Sequence, residues 1–174
     1  EFDGLPRFAG GLVGYFGYDT VAYIEPRLKA DKPDPLKTPD ILLMVSEEVV
    51  VFDNLSGKLY LVVHADPGKR APAVRRLDEL TAKLKQPLAV PESTGSGVHV
   101  DENEFVSGFT EDGFKQAVEK AREYIVDGDI MQVVLSQRLS IPFSAQPLDL
   151  YRALRSLNPS PYMYFMDIGD FQIV

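Results

Sequence analysis

The chain has 174 residues and a formal charge of −8, with 45% hydrophobic and 25% charged residues, an ordinary balance for a soluble globular protein. It has no cysteine, which removes disulfides, thiolate nucleophiles and cysteine-based zinc sites together. No apolar tract approaches the roughly 18 residues of a membrane helix, and no Lys/Arg stripe is present to neutralise nucleic-acid phosphates. The composition reads as a cytoplasmic protein. Glu1 rather than Met opens the chain, and "FQIV" closes it with no turn or cap, so it is expected to be a segment of a longer protein.

In chain order, the first element is an apolar, glycine-punctuated run, "FAGGLVGYFGYD", followed by a helix predicted from about Asp19 to before Pro26. Gly11, Gly14 and Gly17 recur every third residue, which matches neither a dinucleotide fingerprint nor a phosphate loop. The spacing points instead to close packing of backbone against a neighbouring strand. After the proline-rich connector "DKPDPLKTPD", the run "ILLMVSEEVVVFD" reads as strand, "NLSGK" as a turn, and "LYLVVHA" as the returning strand of a hairpin. Val74, Leu77, Leu80 and Leu84 fall at helical spacing, which predicts a surface-packed helix over about 71–84.

Residues 86–103, "QPLAVPESTGSGVHVDEN", are poor in large apolar side chains and rich in Pro, Ser and Gly. They are expected to form an exposed linker between an N-terminal region, 1–85, and a second region, 104–174. Thr110 is the expected N-cap of a helix whose apolar stripe is Phe114, Val118, Ala121 and Ile125, and Gly128 is its expected stop. "DIMQVVLSQRLSIPF" reads as a strand, "PLDLYRALRSL" as a short helix opened by Pro147, and "YMYFMDI", "GD", "FQIV" as a hairpin. The predicted class is α+β, mostly antiparallel sheet with packed helices.

Few residues carry chemistry. Alternation along the strand from Ile130 separates Gln132, Ser136 and Arg138, with Ile130 and Val134, from Met131, Val133, Leu135, Gln137 and Leu139. The second set is expected to face a core. The first mixes polar and aliphatic groups as a pocket wall does, but a half-buried strand turning its polar side to water has the same pattern. His64 and His99 are isolated from ligand-spaced partners and suggest neither a metal site nor a triad. Glu47 and Glu48, adjacent on a strand, face opposite sides and make poor partners for shared acid–base work. In "NPSPYM", Pro159 and Pro161 fix their own φ and push Asn158 and Ser160 toward extended geometry, so Tyr162 and Met163 follow a stiffened backbone.

Three blocks, "GGLVGYFGYD", "SGFTEDGFKQAVEKAREYIVDGDIMQVVLSQRL" and "NPSPYMYFMD", in that order and spacing, closely resemble the anthranilate synthase component I family, the chorismate-utilising subunits that open tryptophan biosynthesis. The resemblance runs through nearly the whole chain and is weakest in the linker. Its "NPSPYM" block is more similar to this family than to aminodeoxychorismate synthase component I of the folate pathway, whose block departs after its first proline.

The resemblance implies a part of the larger chorismate-utilising fold, with 104–174 as the start of its chorismate-binding domain. It implies a lyase that adds ammonia to chorismate and eliminates pyruvate to leave anthranilate. Ammonia would come from glutamine through a partner amidotransferase, component II, and Mg2+ would neutralise the substrate carboxylate. The family's catalytic His and Mg2+-binding glutamates are expected downstream of this chain, and an upstream Leu-Leu-Glu-Ser block of the effector pocket is also missing. The segment alone is therefore expected to be inactive and to hold no metal. Asn158, Pro159, Pro161, Tyr162 and Met163 match the block that forms a wall of the tryptophan feedback site. Gln132 matches the strand position where isochorismate-forming relatives carry a lysine base, which makes it the implied catalytic-wall residue. Aminodeoxychorismate synthesis and a non-catalytic tryptophan-sensing module are the alternative readings.

Overall fold

A computed structural model describes residues 4–29, 32–88 and 100–174, and the chain divides into two units, Glu1–Pro91 and Glu92–Val174. In the first unit the glycine run becomes strand β1 (Gly11–Phe16), paired antiparallel with β2 (Ile41–Ser46), Gly11 opposite Ser46 and Phe16 opposite Ile41. A Cβ at Gly14 would collide with the Leu42 carbonyl, and one at Gly17 would sit 3.1 Å from the Asp40 carbonyl. At these two positions the expected close packing on a neighbouring strand is present. Gly11 has no such neighbour; its φ of +132° is what requires glycine.

The expected helix after Gly17 is instead a 3-10 helix, Tyr18–Tyr23. The Thr20 N–H and hydroxyl both donate to the Gly17 carbonyl, at 3.1 and 2.6 Å. The aromatic and β-branched residues of "YDTVAY" favour a regular α-helix too weakly to establish one before Pro26. Tyr23 donates its hydroxyl to Asp40 Oδ2 at 2.7 Å, and that carboxylate raises the phenol above its ordinary pKa.

The strand expected over "ILLMVSEEVVVFD" is divided at Glu47. β2 stays with β1, whereas β3 (Glu48–Asp53) forms a hairpin with β4 (Lys58–Val63), Glu48 opposite Val63 and Asp53 opposite Lys58. Asp53 closes the expected turn, accepting from the Leu55 and Ser56 N–H groups at 3.0 Å and from the Ser56 hydroxyl at 2.6 Å. These bonds, the Ser56 hydroxyl first, hold its carboxyl below the usual carboxylate range. Helix α1 (Arg70–Leu84) follows as predicted and packs on β4, with Leu77 and Leu80 half-buried and Val74 and Leu84 exposed.

Residues 89–99 of the expected linker lie outside the described residues. Asp101 caps a short 3-10 turn, Glu102–Glu104, and the Glu104 carboxylate accepts from the Asp101 N–H at 3.2 Å. Strand β5 (Val106–Ser107) precedes helix α2 (Glu111–Val126) and pairs antiparallel with β6 (Leu139–Ser140). The Thr110 hydroxyl accepts from the Gly113 N–H at 3.1 Å, as an N-cap does. At the other end Gly128, at φ +83°, donates to the Ile125 carbonyl at 3.2 Å, and Asp129 donates to the Tyr124 carbonyl at 2.9 Å. This double bond pattern across a left-handed glycine is the helix stop. Ala121 of α2, 9% exposed, is the one buried hydrophobic residue among the described residues.

Helix α3 (Pro147–Leu157) starts at Pro147 as predicted, and β7 (Met166–Asp167) and β8 (Gln172–Ile173) form the expected hairpin in a shorter version. Each ladder among the described residues is an antiparallel pair, so the fold is α+β. Among the described residues no helix is long and apolar enough to cross a membrane.

The predicted strand over "DIMQVVLSQRLSIPF" is corrected. Only Leu139 and Ser140 pair; residues 132–138 run without a ladder partner among the described residues. The set expected to face a core does not, for the same reason. Met131 is 97% exposed, Val133 and Leu139 are exposed, and Leu135 is half-buried. Alternation dictates which side chains share a face, but a face is buried only when another layer covers it.

Candidate functional site

The block Asn158 to Met163 begins where α3 ends. Asn158 caps the helix, donating its N–H to the Leu154 carbonyl at 2.9 Å, and its φ of −144° takes the chain out of helical geometry as the following proline demands. Pro159, Ser160 and Pro161 are exposed, Tyr162 is 92% exposed, and Met163 is half-buried. Just beyond, the Phe165 ring lies against the Tyr151 ring of α3, centroids 6.0 Å apart, and the Arg155 guanidinium sits 5.8 Å from the same Tyr151 ring. The block is thus held at both ends by α3, through its cap and through Tyr151. Between these anchors lie the exposed Tyr162 ring and the half-buried Met163 thioether, on a proline-stiffened backbone.

The hairpin after the block is fixed by Asp167, which accepts from Gln172 Nε2 at 3.0 Å and the Gly169 N–H at 3.1 Å. Those donors, Gln172 first, hold its carboxyl below the usual range, so it stays ionised near neutrality.

Gln132 is exposed on the unpaired extended segment. Among the described residues no hydrogen bond joins it to another side chain. Its neighbour Gln137 is engaged instead, accepting from the Ser107 hydroxyl at 2.9 Å. No hydrogen bond among the described residues links Gln132 to the Asn158–Met163 block.

In the first unit His64 has a structural partner: its Nε2 lies 2.6 Å from the Ala9 carbonyl, and its ring fills the space beside Gly10 where a Cβ would go. His99 lies outside the described residues. Glu47 borders an open cleft of about 510 Å³ between the end of β4 and the start of α1, with His64, Asp66, Lys69 and Arg76. Sequence reasoning missed this cleft, because its charges come from separate elements. Its cations are already engaged, Lys69 with Asp66 at 3.1 Å and Arg76 with Glu48 and Glu79. Glu48 is engaged in that pair.

Among the described residues no group of three or more His, Asp or Glu side chains converges where a cation could sit.

Residues 2–174 match the model of the chorismate binding enzyme family. The chain is 52% identical to anthranilate synthase component 1 of Pseudomonas putida, a match covering 100% of this chain and 36% of the relative. It is 53% identical to that of Pseudomonas aeruginosa over 98% of this chain, again 36% of the relative. The protein of the same name from Neisseria meningitidis serogroup B is 54% identical over 100% of this chain. The crystal structure of anthranilate synthase component I from Streptococcus pneumoniae superposes with a TM-score of 0.81 at 34% identity, covering 99% of this chain and 39% of that one. The chain therefore spans little more than a third of the length of these relatives. With a match that runs almost from end to end and a shared fold, the chain belongs to the chorismate binding enzyme family.

Proposed function

We propose that the chain is part of a cytoplasmic anthranilate synthase component I, in which it supplies one wall of a tryptophan effector site and one edge of the chorismate site. The completed enzyme converts chorismate and ammonia to anthranilate, pyruvate and water. A glutamine amidotransferase subunit delivers the ammonia, and Mg2+ neutralises the substrate carboxylate through ligands outside this chain. The observation that carries the reading is the identity of 52 to 54% with component 1 proteins across the whole chain. The "NPSPYM" block adds to it: Tyr162 and Met163 are presented by a rigid backbone, so little ordering cost accompanies effector binding. Gln132 cannot take a proton at neutral pH, so it would orient ammonia without activating competing water.

The test is a graft: Pseudomonas aeruginosa component 1 with its matching stretch replaced by this chain. Supplied with chorismate, ammonium and Mg2+, the graft is expected to make anthranilate and to be inhibited by tryptophan, whereas the 174-residue chain alone is expected to make none. Accumulation of aminodeoxychorismate with the pyruvyl group retained would assign the chain to the folate-pathway branch instead.

A further inference from the structure

The chain leaves α3 at Asn158 and meets it again at Tyr151, two helical turns earlier, where the Phe165 and Tyr151 rings lie 6.0 Å apart and inclined at 44°. Among the described residues no hydrogen bond engages residues 159–164, which lie between these two points. Exposure alternates along the stretch: Tyr162 is 92% and Tyr164 58% exposed, whereas Met163 and Phe165 are half-buried. Met163 and Phe165 are turned inward together. Of the residues of α3 only Pro147 and Tyr151 are half-buried, one turn apart, so theirs is the face that meets the returning chain. The bonds that follow tie Met166 to Ile173 and Asp167 to Gln172, within the hairpin and not to α3. The Arg155 guanidinium lies over the same Tyr151 ring at 5.8 Å, so the ring is itself held from its own helix.

We propose that Tyr151 is a positioning residue for the effector site: its ring, set against Phe165, fixes the direction in which Met163 points and so sets how tightly an indole-bearing effector is held. This rests on reading Asn158–Met163 as a wall of a tryptophan site. Pro159 and Pro161 make the block stiff, but a stiff segment still swings about its ends. The Asn158 N–H on the Leu154 carbonyl holds one end, and the Tyr151 contact holds the other. Removing the Tyr151 ring leaves both prolines in place and frees the far end, so the thioether meets the effector at a range of angles instead of one. The contact is between ring faces and edges, and the Tyr151 hydroxyl has no part in it.

The test compares Tyr151→Phe and Tyr151→Ala in the graft described above, reading the inhibition constant for tryptophan as a ratio to KM for chorismate. Tyr151→Ala is expected to raise that ratio at least about tenfold, and Tyr151→Phe, which keeps the ring, to stay within about twofold of the parent. A residue that only stabilises the fold would lower Tm and kcat and leave the ratio where it was; that result in Tyr151→Ala overturns the proposal. A Tyr151→Phe variant as resistant to tryptophan as Tyr151→Ala also overturns it, because the hydroxyl and not the ring would then be responsible. If Tyr151→Ala does not fold, Tyr151→Leu, which keeps apolar volume without a ring, is read in the same way. If the graft itself does not fold, Tyr, Phe and Ala placed in turn at the aligned position of Pseudomonas aeruginosa component 1 give the same decision. A parental graft that makes anthranilate and is not inhibited by tryptophan defeats the effector reading of the block, and this inference with it. An inhibited parent with an unchanged ratio in Tyr151→Ala defeats the role of Tyr151 alone.

Discussion

Arg76 on α1 grips Glu48 on β3 through two parallel hydrogen bonds, Nε to Oε1 at 2.6 Å and Nη2 to Oε2 at 2.9 Å, while Nη1 reaches Glu79 at 3.0 Å. The planar fork fixes the helix against the hairpin in a way a lysine would not reproduce. Hydrogen bonding to Arg76 holds the Glu48 carboxyl below its usual pKa. A carboxyl lowered in the folded state stabilises above its unfolded pKa of 4.5, and that contribution is lost as pH falls through the folded value. Glu48→Gln is therefore expected to lower Tm at pH 7 and to flatten the fall in Tm between about pH 5 and pH 3. Identical acid profiles for the two proteins would show that the grip adds no stability, as is common for exposed pairs.

Gly14→Ala is expected to destabilise the first unit by about 1–3 kcal/mol, because the new Cβ meets the Leu42 carbonyl, a backbone atom that cannot rotate away. Gly68→Ala is the control, since nothing lies within 4 Å of its Cβ position. Thermal melts of the two variants side by side check this; equal melting temperatures would mean that β1 shifts along β2 at no cost.

In the graft, Met163→Thr is expected to weaken tryptophan inhibition roughly ten- to hundredfold, the equivalent of about 1–3 kcal/mol of lost apolar contact. Uninhibited turnover is expected to stay near the parental rate, because in the proposed function the half-buried Met163 contacts the effector and not the substrate. Inhibition curves with and without the substitution decide it, and superimposable curves would return Met163 to a purely structural part.

Gln132→Lys in the graft is expected to lower anthranilate formation and to yield some hydrated, isochorismate-type product, since an amine activates water where an amide does not. Gln132→Leu lowers amination without the hydrated product. Product analysis by chromatography separates the two outcomes. Thermal melts first check that both variants fold; if both folded variants make anthranilate at the parental rate, the residue has no catalytic role.

What the sequence made legible are the features that carry their own partners. Thr110 caps the helix that it begins, Gly128 ends it, and Asp53 closes a turn with residues two and three positions away. What it concealed depends on distant chain. Nothing in "MVSEEVVV" marks Glu47 as the point where the strand leaves one ladder for another, because the change is made by the partners β1 and β4. Period-two alternation from Ile130 to Leu139 gave the extended shape and overstated the pairing, since a strand exists only where a neighbour accepts its hydrogen bonds. The grip of Arg76 on Glu48 spans 28 residues and leaves no trace in spacing. At the candidate site, two prolines announced stiffness at Asn158–Met163, but a role for Tyr162 and Met163 came from resemblance, because rigidity has no ligand written into it.

The turn between β3 and β4 carries Leu55, fully exposed, on a loop whose bonds run through Asp53 and Ser56. The sequence has no cysteine. Leu55→Cys would therefore create one addressable thiol at a rigid point, where a fluorophore or spin label reports distance changes without disturbing α1 or the hairpin. A second thiol placed elsewhere in the graft would turn the first unit into a molecular ruler for following distances in solution.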